Sequence, residues 1–457
     1  MPKHDRMTPL ELRASLSLAS IFGLRLLGMF VILPVFAIYA ERLSGGDNLT
    51  LVGVAIGAYG LTQAILQIPF GWWSDRYGRK PVIYVGLLLF AVGSFVAAAA
   101  PNIYVVILGR VMQGAGAISA AVMAMAADLT REEQRTKAMA MIGSTIGLAF
   151  AMSLIASPWL DRHIGVPGIF AMTGVLALAA MLVVWRIVPD VPDVRTAPSG
   201  ALKQFLAVLR DPQLARLNYG VFALHAVLMA LFIAIPLAMR DAGLPLADHW
   251  KVYLPVMLGS FVLMMPAIMS QGRPGRLKAY FTGSVALLLL GHAGLPWFAG
   301  NVWMLGIFLL LFFTPFNLLE ALLPTLTSKL APARMKGVAI GVYSSVQFFG
   351  TFIGAVAGGY AYGQWGLDGV VIVDCVMLVI WLVVCFGMRA PSAPGMRSYS
   401  VPRLNAVEAE VLAERLRAIG GVREARVNTS ENTAYLQVDS ALFDEQNVVL
   451  TITGKAS

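Results

Sequence analysis

Charge is scarce in this chain. Lys, Arg, Asp and Glu make up 13% of its 457 residues, about half of the roughly 25% typical of soluble domains. That excludes an ordinary water-soluble enzyme as the whole molecule. Cysteine is nearly absent too. The two present, Cys375 and Cys385, would lie about 15 Å apart on one helix, too far to bridge. The sequence has no CxxC and no Cys/His spacing suited to a metal. Two stretches, 81–109 and 279–319, hold no charged residue at all. What the chain has in excess is apolar, at 58%. Disorder is excluded, because its signature is low hydrophobicity. The excess must face lipid.

A helix needs about 20 apolar residues to cross a bilayer, so each uncharged stretch holds two crossings. They turn near Pro101-Asn102 and Gly300-Asn301. The full chain reads as twelve spans: 15–40, 50–73, 81–99, 103–127, 138–160, 168–188, 215–240, 250–270, 279–298, 302–328, 337–362 and 367–388. The first exceeds the 7–15 residues of a signal-peptide core and is expected to act as an uncleaved anchor. Twenty Lys and Arg fall on the side of the N-terminus and only four on the other: Arg42, Arg162, Arg240 and Lys251. Basic residues stay inside, so both termini of a multi-pass membrane protein are expected in the cytoplasm. The net charge of +9 is then topology, and nucleic acid is not an expected partner; the lipid bilayer is.

The chain repeats itself. Arg76-Tyr77-Gly78-Arg79 after span 2 recurs as Arg273-Pro274-Gly275-Arg276 after span 8, and Lys137 before span 5 recurs as Lys336 before span 11. Gly143 has Gly341, and Pro34 has Pro236. Two parallel six-span halves are a transporter pattern, with binding sites between the halves near the midplane. The expected division is 1–188, a linker 189–214, and 215–390. In the linker Leu202, Phe205, Leu206 and Leu209 follow helical spacing, which suits an inner-surface amphipathic helix or a plain linker helix. After Pro391 the composition becomes that of a soluble module. Ser398–Val401 reads as a strand. Asn405 and Glu408 read as a capping box opening a helix with Val407, Val411, Leu412 and Ile419 on one face. Val422–Asn428 and Thr433–Asp439 read as a hairpin, and 441–450 as a helix or a strand. The expectation for 397–457 is a βαββα, ferredoxin-like domain. At about 60 residues it is small for a lone core, so it is expected to dock on the body or dimerise.

Gly71-Trp72-Trp73-Ser74-Asp75-Arg76-Tyr77-Gly78-Arg79-Lys80 resembles the signature loop of the major facilitator superfamily. Arg110-Val111-Met112-Gln113-Gly114-Ala115-Gly116 resembles the second motif of its proton-coupled members. Leu27–Val35 resembles the first-span motif of its twelve-span drug/proton antiporters. The resemblance covers residues 10 to about 390, and the small tail narrows it to efflux carriers of Gram-negative inner membranes that have such a domain. It implies an all-α membrane fold of twelve helices in two halves, plus the small α+β tail. It also implies that Asp75 faces the start of span 11 across the halves and that Arg79 pairs with Asp128. Together these would latch the outward-open state. Span 5 matches the antiporter motif only in part: Gly143 and Gly147 are present, but Ala151, Ala156 and Trp159 stand where later glycines belong.

The physical reading of the same residues is independent of the family. Gly71 and Gly78 permit close approach. Arg76, Arg79 and Lys80 suit the anionic inner leaflet, and for Lys80 that plain role has even weight. Arg110 lies in an apolar span, where a guanidinium costs at least about 2.5–3.5 kcal/mol. It is expected to tune a proton site with Gln113 or, more plainly, to bond backbone carbonyls. Arg25 carries equal weight for either role. Glu320, in a Leu-rich run where desolvation disfavours the charged form, is the leading proton-site candidate. Asp374 reads as a wet or paired structural acid. His225 titrates in the right range but is more commonly structural on an apolar helix. Met29, Phe30, Gln63, Gln67, His225, Phe316, Asn317 and Gln347 are the expected lining of a substrate path. The expected activity is proton-driven efflux of a small amphipathic compound, with the proton gradient and no cofactor as its energy source. A metabolite symporter is the first alternative, and a membrane sensor signalling through the tail the second.

Overall fold

A computed structural model describes residues 7–190, 201–270, 276–332, 335–388, 394–402, 404–429, 432–439 and 443–453. The linker residues 191–200 and Arg273–Gly275 of the repeated loop lie outside the described residues. The described chain forms two units, residues 1–268 with 281–388, and residues 269–280 with 389–457.

The helices are α1 Pro9–Phe30, α2 Leu33–Ala40, α3 Leu49–Tyr77, α4 Arg79–Ala98, α5 Ile103–Ala115, α6 Ser119–Asp128, α7 Glu132–Arg186, α8 Ala201–Arg210, α9 Pro212–Asp241, α10 Trp250–Ser270, α11 Arg276–Phe298, α12 Val302–Leu330 and α13 Lys336–Phe386. Among the described residues ten candidate crossings result, two of them 50 and 51 residues long. At 1.5 Å per residue those two are far longer than a bilayer is thick. Each is broken once, at Gly165 (φ 67°) in α7 and at Gly366 (φ 63°) in α13. Left-handed backbone there lets the chain reverse, so each supplies two spans and the total is twelve. The two glycines are 201 residues apart, in step with the repeat.

The caps repeat as well. Asn102 accepts the Val105 N–H at the start of α5, and Asn301 accepts the Trp303 N–H at the start of α12; they are 199 residues apart. Such caps satisfy donors that a helix start leaves unpaired. Two spans are interrupted. The first breaks between α1 and α2 because Pro34 has no N–H to offer the Phe30 carbonyl. It also begins earlier than expected, at Pro9, under a Thr8–Glu11 capping box. The fourth breaks at 116–118, between α5 and α6.

α3 and α13 cross closely between the halves. A methyl at Gly53 would lie 2.1 Å from the Ala355 carbonyl oxygen, and one at Gly60 2.7 Å from that of Phe348. Further along, Gly71 meets only Ala120 of its own half, and Gly337 and Gly341 meet nothing within 4 Å. The exposed large residues include Val262, Leu290, Trp297 and Trp303. The two tryptophans flank the turn at Gly300, as interfacial aromatics do. α8 turns Phe205 and Val208 onto Leu214, Ala331, Ala339 and Val342, while Leu206 and Leu209 stay exposed.

The tail contains β1 Pro394–Ser400, α14 Ala406–Arg417, β2 Val422–Asn428, β3 Thr433–Asp439 and α15 Glu445–Thr453. The sheet order is β1-β3-β2, antiparallel throughout, with Tyr435 opposite both Ser398 and Arg426. Leu416, Ala425, Ala434, Leu436, Val438 and Val448 form its core. The Asn405–Glu408 capping box is present. The buried face of α14 differs from the expected one. Ala409, Ala413 and Leu416 are buried, with Leu412 and Ile419 packed beside them, whereas Val407 and Val411 are exposed. Small residues lie where the helix meets the sheet, and the larger valines turn outward.

Candidate functional site

The loop between α3 and α4 is held by one arginine. Gly78 (φ 96°) turns the chain, which places Arg79 at the start of α4. Arg79 Nε donates to Asp128 Oδ2 at 3.0 Å, and Arg79 Nη1 donates to Ser74 Oγ at 2.8 Å and to Asp75. Asp75 is thus bonded to Arg79 of its own half. Lys80 pairs with Asp190 at 2.7 Å. Arg76 stacks on Trp72 and Tyr77, 5.4 and 5.6 Å from their ring centres.

Two guanidinium groups are buried in the N-terminal half without an acid partner among the described residues. Arg110 donates to the carbonyls of Ala55 (3.4 Å) and Ile56 (3.2 Å) and to Gln113 Oε1 (3.0 Å). Gln113 in turn donates to Ser94 Oγ at 2.8 Å. Arg25 donates to Ser119 Oγ at 2.8 Å and to Gln63, whose amide donates to Gln67 at 3.0 Å. Both cations lie over the Tyr59 ring, at 5.8 Å for Arg25 and 5.0 Å for Arg110. Tyr59 reaches Phe348 of the other half, ring centres 6.4 Å apart.

The C-terminal half carries a contrasting cluster at matching positions. His225 stands 200 residues after Arg25, Ser260 197 after Gln63, and Asn317 198 after Ser119. His225 Nδ1 donates to the Val221 carbonyl at 3.1 Å, which assigns its proton and leaves Nε2 as an acceptor for Gln347 Nε2 at 2.7 Å. The same Nε2 lies 3.6 Å from Glu320 Oε2, and Gln347 also reaches Glu320 Oε1 at 3.4 Å. Asn317 donates to Ser260 at 3.0 Å. The Glu320 side chain is 26% exposed. The repeat thus sets fixed cations in one half against a histidine–carboxylate pair in the other.

Aromatic rings join the halves. Phe150 touches Phe30 (5.1 Å between ring centres) on its own side and Phe232, Phe313 and Phe316 (6.1, 5.8 and 6.1 Å) on the other. Phe316 lies 6.1 Å from the His225 ring. Met29 is buried beside this layer in sequence. An apolar cavity lined by Leu228, Phe232, Tyr253 and Phe312 adjoins the layer in the C-terminal half. At one end of the bundle Arg240 grips both oxygens of Glu41 at 2.8 Å, across the halves.

Sequence reasoning missed Phe150, Glu41 with Arg240, and Glu11, whose carboxylate accepts the Arg131 backbone N–H at 3.0 Å and Nε at 2.9 Å. It also missed His292, which faces Asp374 at 3.6 Å. Asp374 is thus dry and paired rather than wet. The available signal was two polar residues in otherwise apolar spans; their pairing, 82 residues apart in sequence, carried no local mark.

Comparison with known proteins gives four findings. Residues 18–355 match the Major Facilitator Superfamily model. The chain is 42% identical over 437 residues to the inner membrane transport protein YajR of Escherichia coli, covering 95% of this chain and 96% of that one. It is 26% identical to the multidrug resistance protein MdtH of Proteus mirabilis, covering 74% and 84%. Among solved structures, a bacterial homologue of the human lysosomal transporter Spinster, inward-facing and occupied, superposes with a TM-score of 0.67 at 14% identity, covering 83% and 97%.

Proposed function

The chain belongs to the major facilitator superfamily, and from that premise we propose that it exports small amphipathic compounds in exchange for protons. It is a multi-pass membrane transporter, not an enzyme. The observation that carries the coupling proposal is the Glu320–His225–Gln347 cluster. It offers a partly exposed carboxylate at mid-span, one aromatic ring from the opposite half. A proton bound there removes the cluster's negative charge opposite the fixed cations Arg25 and Arg110. That changes the energy of bringing the halves together.

The halves approach closely around Leu49–Gly60 and are tied at Glu41–Arg240. The basic-residue count assigns that end to the outside and both termini to the cytoplasm, so this is the inward-facing state of a rocker switch. Arg79, Asp75 and Asp128 form the gating latch at the other end, with Gly71, Arg76, Gly78 and Lys80 shaping its loop. Met29, Phe30, Phe316, Gln63, Gln67, Asn317 and Gln347 line the substrate path. A proton gradient, not a bound cofactor, supplies the energy. The outward direction draws on the likeness to a multidrug resistance protein.

The test is a panel of amphipathic compounds in everted vesicles under an imposed pH gradient. Accumulation driven by an acidic interior, abolished by Glu320→Gln with binding retained, is the expected result. Gradient-driven flux in the opposite direction would make the protein a symporter. Coupling that survives Glu320→Gln would move the proton site elsewhere.

A further inference from the structure

We propose that His292 and Asp374 form a second proton-binding site, inside the C-terminal half and apart from the Glu320 cluster, with the proton resident on Asp374. The two side chains are 1% and 0% exposed and lie on α11 and α13. His292 Nδ1 is 2.7 Å from the Leu288 carbonyl. A carbonyl only accepts, so Nδ1 carries the ring proton and Nε2 presents a lone pair. That lone pair faces Asp374 Oδ2 at 3.6 Å. Neither carboxylate oxygen nor Nε2 has a hydrogen-bond partner among the described residues.

An ionised Asp374 would be a bare carboxylate in an apolar site, with no backbone N–H or hydroxyl to share its charge. Such groups neutralise rather than remain charged. One proton on Oδ2 turns the pair into a carboxylic acid facing an acceptor nitrogen, with no net charge. An imidazolium–carboxylate pair holds the same proton but leaves the remaining carboxylate lone pairs without donors, which makes a buried ion pair costly.

The His292 ring is wedged edge-on between Phe308 and Phe312 of α12, at 5.7 and 5.5 Å. Titratable groups on the packed elements include Cys375, adjacent on α13; Tyr219 of α9, whose hydroxyl donates to the Met377 carbonyl at 3.1 Å; Tyr253 of α10, which shares an apolar cavity with Phe312; and, further along, His225 of α9 and Asp368 of α13. Glu320 lies about two turns beyond Phe312 on α12. The site is nonetheless joined to the Glu320 cluster. Phe312 stacks on Phe316 at 5.5 Å, and Phe316 meets His225. The C-terminal half thus has two histidine–carboxylate pairs at the same separation, one partly open and one sealed, with two stacked phenylalanines between them.

Infrared spectroscopy of the purified transporter in lipid, with no substrate needed, tests this apart from the efflux proposal. At pH 7 the wild type and Glu320→Gln should show the carbonyl band of a protonated carboxyl group, and Asp374→Asn should lose it. Nitrogen-15 spectra of the histidine-labelled wild type, with the His292 signal assigned by His292→Gln, should show a neutral Nδ1–H ring. Asp374→Asn should melt close to wild type, because it keeps a neutral polar group facing Nε2. A missing band, a band that survives Asp374→Asn, or an imidazolium spectrum for His292 would each overturn the proposal. The wild-type and Glu320→Gln carbonyl band and the wild-type His292 ring spectrum hold even if Asp374→Asn folds poorly, since neither is read from that variant.

Discussion

Arg110 and Glu320 are both charged residues in apolar spans, yet their surroundings divide their roles. Arg110 is fully enclosed and spends its donors on two α3 carbonyls and Gln113; Glu320 is partly open and meets a histidine and an amide. The guanidinium fork is what reaches three acceptors at once, and a lysine cannot reproduce it. Arg110→Lys is therefore expected to leave at least one buried acceptor unpaired, at a cost of about 1–3 kcal/mol. A thermal melt in detergent should show a clear drop for Arg110→Lys and little change for Glu320→Gln. Equal melting of the two would mean that Arg110 is not a structural clamp. The sequence marked both residues through their cost in lipid and set Gln113 or backbone carbonyls beside Arg110, but it did not say which carbonyls, nor name the partners of Glu320. Backbone carbonyls leave no trace in side-chain identity, and the Gln347 that completes the Glu320 cluster is an ordinary polar residue 27 positions away.

At the scale of elements, hydropathy alone located the twelve crossings, because charge-free runs of bilayer length admit few other readings. Hydropathy also places the connections 161–167 and 363–366 between crossings, but it does not mark the residue that turns each. Gly165 and Gly366 adopt left-handed backbone, and glycine is common enough here, 44 residues, that its presence marks nothing by itself. Their spacing of 201, matched to the repeat, was the usable signal. A side chain at either position costs of order 1–3 kcal/mol in backbone strain. Gly165→Ala should lower the melting temperature, whereas Gly143→Ala, at a helical position with nothing within 4 Å of the added methyl, should leave it unchanged or raise it. Similar losses at both positions would show that Gly165 is not needed for the turn between the fifth and sixth spans. The tail illustrates the opposite difficulty. Its strands β2 and β3 follow from alternation, but the buried face of α14 was misjudged because valine looks more buriable than alanine. Helix–sheet contact selects for size as well as polarity, so Ala409 and Ala413 face inward.

At the scale of the whole molecule, two ion-pair systems sit at opposite ends of the helical bundle. The Glu41–Arg240 pair crosses the halves at one end; the Arg79–Asp75–Asp128 group lies at the other and bonds within its own half. Alternating access requires the first to separate as the second gains contacts across the interface. The Glu41 and Arg240 side chains are 44% and 39% exposed, so solvent screening limits the pair to about 0.2–1 kcal/mol. That is a population shift of up to about fivefold, since 1.4 kcal/mol corresponds to tenfold. Glu41→Gln should therefore raise the outward-open fraction by a small factor without stopping transport. Asp75→Asn should push the other way, towards inward-open, and weaken transport. Spin labels spanning the halves at each end would report both: the Glu41 end lengthens in the first variant, and the Asp75 end lengthens in the second. The double reversal Glu41→Arg with Arg240→Glu should return the first distance towards wild type. Distances that do not move in Glu41→Gln, or that fail to recover in the reversal, would mean that the aromatic layer around Phe150 alone holds that end closed.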